Sequence, residues 1–170
     1  MDYRRYLAET TVAGDDVLDD WRWLVGPELQ LWRVTKAGGA LLRKPSDGSI
    51  YFLDALSGTV EQIAGDQAAF EAAIASPVNA QRWLMPQLVD VRAAAGVQLG
   101  ENQCLSSKSP PFLTGRIDPD SFETCSVLVH FSMTGQIHQQ LKDLPPGAKI
   151  GKIQVERGGG GSKRPWWKFW

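Results

Sequence analysis

Two histidines, His130 and His138, and a carboxylate group formed by Asp118, Asp120 and Glu123 next to Arg116 are the residues whose types could do chemistry. An imidazole can serve as a general base or a metal ligand, and clustered carboxylates can hold a cation or share a proton. His130 lies in the apolar run Val127 to Phe131, which reads as a buried strand in which His130 points with Leu128, away from Val127 and Val129. His138 falls on a short predicted helix beside Gln139 and Gln140, where it is placed for hydrogen bonding or for contact with a partner. Neither has a carboxylate nearby in sequence that would mark a triad, and the chain has no HExxH, GxSxG or Walker glycine loop. The carboxylates lack the glycine and the distal glutamate of a calcium loop, so they read as a solvated turn or as charge partners for a basic surface. These features point away from an enzyme and imply no metal and no cofactor.

The elements that must position these residues form an α+β pattern. Pro110 and Pro111 fix the backbone ahead of them, and Gly115 supplies the freedom to turn back. A helix from Gln136 to Leu144 follows the Val127 strand, with Ile137, Leu141 and Leu144 on one face, and Pro145, Pro146 and Gly147 stop it. Upstream, Val17, Leu18, Trp21 and Leu24 recur at helical spacing among Asp15, Asp16, Asp19 and Asp20. Leu29 to Thr35, Ala40 to Arg43, Ile50 to Leu53 and Thr59 to Ile63, separated by Gly38-Gly39, Asp47-Gly48 and Asp54 to Gly58, predict an antiparallel meander. Asp66 caps a predicted helix carrying Phe70, Ala73 and Ile74. A longer helical stretch, Asn79 to Ala95, is divided by Pro86 and bears Leu84, Leu88, Val91 and Ala95 on one stripe. Lys149 to Val155 alternates as a last strand. The expected architecture is one α+β domain, an antiparallel or mixed sheet with helices packed on one side, followed by a flexible tail.

With 170 residues, 43% of them apolar and 22% charged, the chain has the make-up of a single globular domain, with no apolar run able to span a membrane. The opening MDYRRYLAETT lacks the apolar stretch of a secretory signal, so the expected location is cytoplasmic. Cys104 and Cys125 are too few for a disulfide framework or a cysteine zinc site and read as two buried thiols. The formal charge of −1 hides a division: residues 1–156 hold 14 basic against 19 acidic groups, a net of −5, whereas Arg157, Lys163, Arg164 and Lys168 make the remainder basic. An acidic body argues against nucleic-acid binding, which needs lysine and arginine on one face, and suits a basic protein partner.

Residues 157–170 form a separate unit, a GGGGS connector followed by KRPWWKFW. Trp166, Trp167 and Trp170 cannot be buried within so short a segment. They are candidates for docking on the body, on a protein partner or on an anionic membrane surface, and GGGGS is equally the sequence of a common engineered linker.

The segments DGSIYFLD, PPFLTG and GQIHQQLKDLPPGAKI give the chain a specific likeness: from about Leu31 to Val155 it resembles the C-terminal domain of type VI secretion immunity proteins that protect against a DNase toxin. The resemblance implies residues 1–30 as an N-terminal helical segment, 31–156 as an immunity-type α+β domain and 157–170 as the tail. It implies a non-enzymatic inhibitor in bacteria whose partner is a cognate toxin, a nuclease effector. In that reading Asp118, Asp120 and Glu123 pair with toxin lysine or arginine, Arg116 and His138 lie on the same contact surface, and Phe112 or a tryptophan supplies an apolar anchor. The other reading is an adaptor that uses its tryptophan-rich tail to reach a membrane or protein partner.

Overall fold

Asp47-Gly48 and Gly38-Gly39 turn the chain as their sequence requires, and the result is a four-stranded antiparallel meander. In the computed structural model, which describes residues 2–109, 111–145 and 153–156, β1 (Gln30–Val34), β2 (Ala40–Arg43), β3 (Ile50–Asp54) and β4 (Thr59–Ala64) neighbour one another in chain order. Gly38 and Gly48 take φ values of 90° and 80°, a region costly for any residue with a Cβ. Asp47 accepts from the Ser49 amide at 2.9 Å and so closes the second turn.

Ala40, Leu41 and Leu42 are all buried, although successive side chains of a strand face opposite ways. The sheet is therefore covered on both faces, whereas the sequence pattern suggested helices on one. Leu41, Ile50 and Phe52 pack with Phe70, Trp83, Leu84, Leu105 and Phe122. Ala40, Leu42 and Leu53 pack with Val17, Leu18, Trp21, Val127 and Phe131. The first layer contains α3 (Gln67–Ile74), α4 (Pro77–Leu84) and α5 (Pro86–Ala94), and Asp66 caps α3 by accepting from the Ala69 amide at 2.7 Å. The second contains the short helices α1 (Gly14–Leu18) and α2 (Arg22–Val25) and a long helix from the end of the chain. Between α4 and α5, Met85 is left-handed at φ 46°, and this re-aims α5. The expected stripe breaks there, and Val91 is 51% exposed.

The main departures lie after Gly96. Gln103–Ser107 (β5) and Phe122–Ser126 (β6) pair as a separate antiparallel hairpin, placing Cys104 opposite Cys125. At the tip of the hairpin is a short helix, α6 (Pro111–Thr114), ended by Gly115 at φ 72°, whose amide donates to the Pro111 carbonyl at 2.7 Å. The run Val127 to Phe131 is not a strand: it opens α7 (Val127–Leu141), which also absorbs most of the shorter helix expected from Gln136. Burial explains the difference. Val127, His130, Phe131 and Thr134 face inward while Leu128 and Val129 are 37% and 54% exposed, a helical rather than an alternating period. Leu144, expected on the apolar face, lies beyond the helix and is 43% exposed. Of the last predicted strand, 149–152 fall outside the described residues, and 153–156 form no strand.

Candidate partner-binding surface

Both histidines are internal. His130 is 1% exposed; its Nε2 donates to the Gly38 carbonyl at 2.9 Å, which leaves Nδ1 to accept from the Ser106 hydroxyl at 2.9 Å. Burial lowers its pKa to about 4, so the folded protein holds a neutral ring that ties α7 to β5 and to the β1–β2 turn. His138, expected at a contact surface, is 8% exposed. Its Nε2 lies 3.1 Å from the Ala55 carbonyl, its ring packs 5.6 Å from that of Trp21, and burial lowers its pKa. Direct partner contact through His138 is thus replaced by a structural role, because its helix position faces the sheet and not solvent. A Cβ on Gly58 would collide with that ring, so glycine is required there for close approach.

The thiols differ from each other. Cys104 is buried, Cys125 is partly exposed, and both are free. Burial raises both pKa values, and at Cys125 a hydrogen bond with Ser106 opposes the rise.

The carboxylates lie at the loop end of the β5–β6 hairpin. Asp118 caps a single helical turn, Pro119–Ser121, by accepting from the Asp120 amide at 3.1 Å. Asp120 pairs with Arg92 at 3.2 Å while its own side chain remains 89% exposed. Glu123 pairs with Lys108 at 2.5 Å across the hairpin, with both side chains under half exposed. Arg116 is exposed, and its carbonyl accepts from Thr114 Oγ1 at 3.0 Å. Phe112 belongs to α6, but its side chain lies outside the described part of the structure, as do Trp166, Trp167 and Trp170 entirely.

Beside this rim lies a groove of about 540 Å³, which the sequence did not announce. Ala37, Phe52, Trp83, Met85, Pro111 and Ile117 give it a largely apolar lining. Ile117 is 49% exposed at its lip, whereas Trp83 is 4% exposed and its buried indole N–H has no hydrogen-bond partner among the described residues. A mostly apolar concavity at the surface has the character of a site for an apolar partner group. The one sequence signal was Pro86, which disfavours a helical conformation in the preceding Met85 and so bends the wall of the groove.

At the C-terminal end of the described chain, Gln136 and Gln140 of α7 hold an extended segment. Gln140 Nε2 donates to the Gln154 carbonyl at 2.6 Å, and Gln154 N–H donates back to Oε1 at 3.2 Å. Gln136 does the same with Glu156, at 2.8 Å and 2.6 Å. One helical turn rises roughly as far as two residues of extended chain, so side-chain amides at i and i+4 match alternate peptide groups.

Fold and site define a small α+β domain with a groove and an acidic rim, and no group of three or more potential metal ligands among the described residues. Residues 66–138, from the cap of α3 through most of α7, match the family described as T6SS immunity protein Tdi1, C-terminal. The match covers 73 of the chain's 170 residues, fewer than half. In fold, the chain is similar to the crystal structure of Atu4351 from Agrobacterium tumefaciens, with 15% identity over 72% of this chain and a TM-score of 0.50. The alignment spans 64% of that chain's length. No curated protein matches. Among the described residues no helix is long and apolar enough to cross a membrane.

Proposed function

We propose that this protein neutralises a DNase toxin delivered by type VI secretion, binding it in the cytoplasm without catalysis, through the loop end of the β5–β6 hairpin and the groove beside it. The observation that carries the reading is the family match, because residues 66–138 contain the whole hairpin, its acidic rim and part of the groove wall. Charge supports a nuclease as the partner. A net of −5 over residues 1–156 complements a surface made positive to hold DNA, and complementary fields raise association rates and select partners. In this reading Asp118, Asp120 and Glu123 meet toxin lysine or arginine, Arg116 and Ile117 frame the contact, and the groove takes an apolar anchor.

The test is co-expression with the toxin encoded beside the gene, together with a pull-down. Rescue of growth and a stable complex are expected, and the double charge reversal Asp118→Lys, Asp120→Lys is expected to weaken both. A toxin that still kills and does not bind would overturn the reading.

A further inference from the structure

We propose that the crevice between α5 and the start of β5 is an oxyanion subsite, shaped for one carboxylate or phosphate group and built on Lys36 and Arg92. The crevice has a volume of about 80 Å³, with Val89, Leu99 and Leu105 supplying apolar wall beside the two cations. Arg92 is largely withdrawn from water, its side chain 13% exposed. Its Nη1 reaches Asp120 at 3.2 Å, but its buried Nε–H has no hydrogen-bond partner among the described residues. Lys36 enters the same crevice with no ion pair to any described residue. Its backbone is fixed at both ends: its amide donates to the Tyr6 carbonyl at 2.8 Å, and its carbonyl accepts from the Leu105 amide at 2.8 Å.

Two cations therefore line a crevice that no carboxylate lines, and the one carboxylate that reaches Arg92, Asp120, is 89% exposed and touches it only through Nη1. A partly desolvated guanidinium with an unmade N–H bond is costly, and a planar oxyanion across Nε and Nη2 is the group that matches its fork. A water could accept from Nε but would leave the surplus positive charge uncompensated. Asp120 then acts as an internal tether that holds Arg92 in place and competes for it.

The whole chain would be titrated at constant ionic strength with inorganic phosphate, with acetate and with a short acetylated peptide carrying one aspartate. The readouts are the Arg92 Nε–H resonance, assigned by its loss in R92K, and the thermal midpoint. Saturable shifts are expected, with affinity about tenfold weaker in K36M and several-fold stronger in D120N. Saturation by phosphate or acetate points to a free anion, and saturation by the peptide alone points to a protein carboxylate; either supports the subsite. A response that is linear in all three ligands and identical in K36M would overturn it. Circular dichroism of K36M and D120N separates loss of binding from loss of fold.

Discussion

Two regions of this protein are rich in acid and put it to opposite uses. Where α7 packs on the N-terminal helices, polar groups are spent on the interior. Asp20 accepts from Ser132 Oγ and from Gln136 Nε2, and the Trp21 indole donates to the Phe131 carbonyl at 2.9 Å. Gly135 is pressed so close that a Cβ would lie 2.5 Å from the Asp20 carbonyl oxygen. At the hairpin end Asp120 reaches across to Arg92 and Glu123 to Lys108, and an apolar groove opens beside them. Acid density alone does not mark an interface; acid next to accessible apolar surface does.

The comparison can be broken most forcefully at the seam. Gly135→Val is expected to cost about 3 kcal/mol by urea unfolding, since the backbone it meets cannot yield. Gly65→Val, whose Cβ would meet nothing within 4 Å, serves as the control and should stay within about 0.5 kcal/mol. A small effect at Gly135 would show the seam to be loose.

A similar magnitude is expected from acid. His130 is neutral in the folded protein down to a pKa of about 4, against 6.5 as its ordinary value, so the unfolded chain takes up a proton first. The contribution is complete above pH 6.5 and is lost as pH falls towards 4, amounting to about 3 kcal/mol. His130→Gln should flatten that part of the stability profile; an unchanged slope would remove His130 as its source.

Smaller effects sharpen the hairpin side. Asp118→Lys with Asp120→Lys should weaken toxin binding about tenfold to a hundredfold, whereas Asp16→Lys with Asp19→Lys, on the seam's solvent face, should change it less than about threefold. Equal losses would mean that overall charge, not the hairpin, governs binding. Smallest of all, Asp120→Asn should alter stability by less than about 1 kcal/mol, because the carboxylate itself is 89% exposed.

Local turn chemistry made the meander legible. The Gly38-Gly39 and Asp47-Gly48 turns, the Asp66 cap and the Pro86 break each act within a few residues, and all appear where the sequence puts them. The hairpin was not legible, because β5 and β6 are stabilised by each other across a loop of fourteen residues, from 108 to 121. Val127 to Phe131 misleads for a related reason. Its β-branched residues favour a strand locally, but Phe131 and Val127 gain more by packing on Trp21 and Leu42 from one helical face. At the site, the rim carboxylates were visible as a cluster, while the groove was not. Its walls come from positions as distant as Ala37, Trp83 and Ile117, and only tertiary structure joins them.

Hydrogen–deuterium exchange of the protein alone and in complex with a candidate toxin encoded beside its gene tests the central claim most directly. Binding through the hairpin end predicts new protection at residues 108–123 and along the groove wall at 81–85, with the α7 seam unchanged. Protection confined to Asp15–Asp20 and the exposed face of α7 would contradict it.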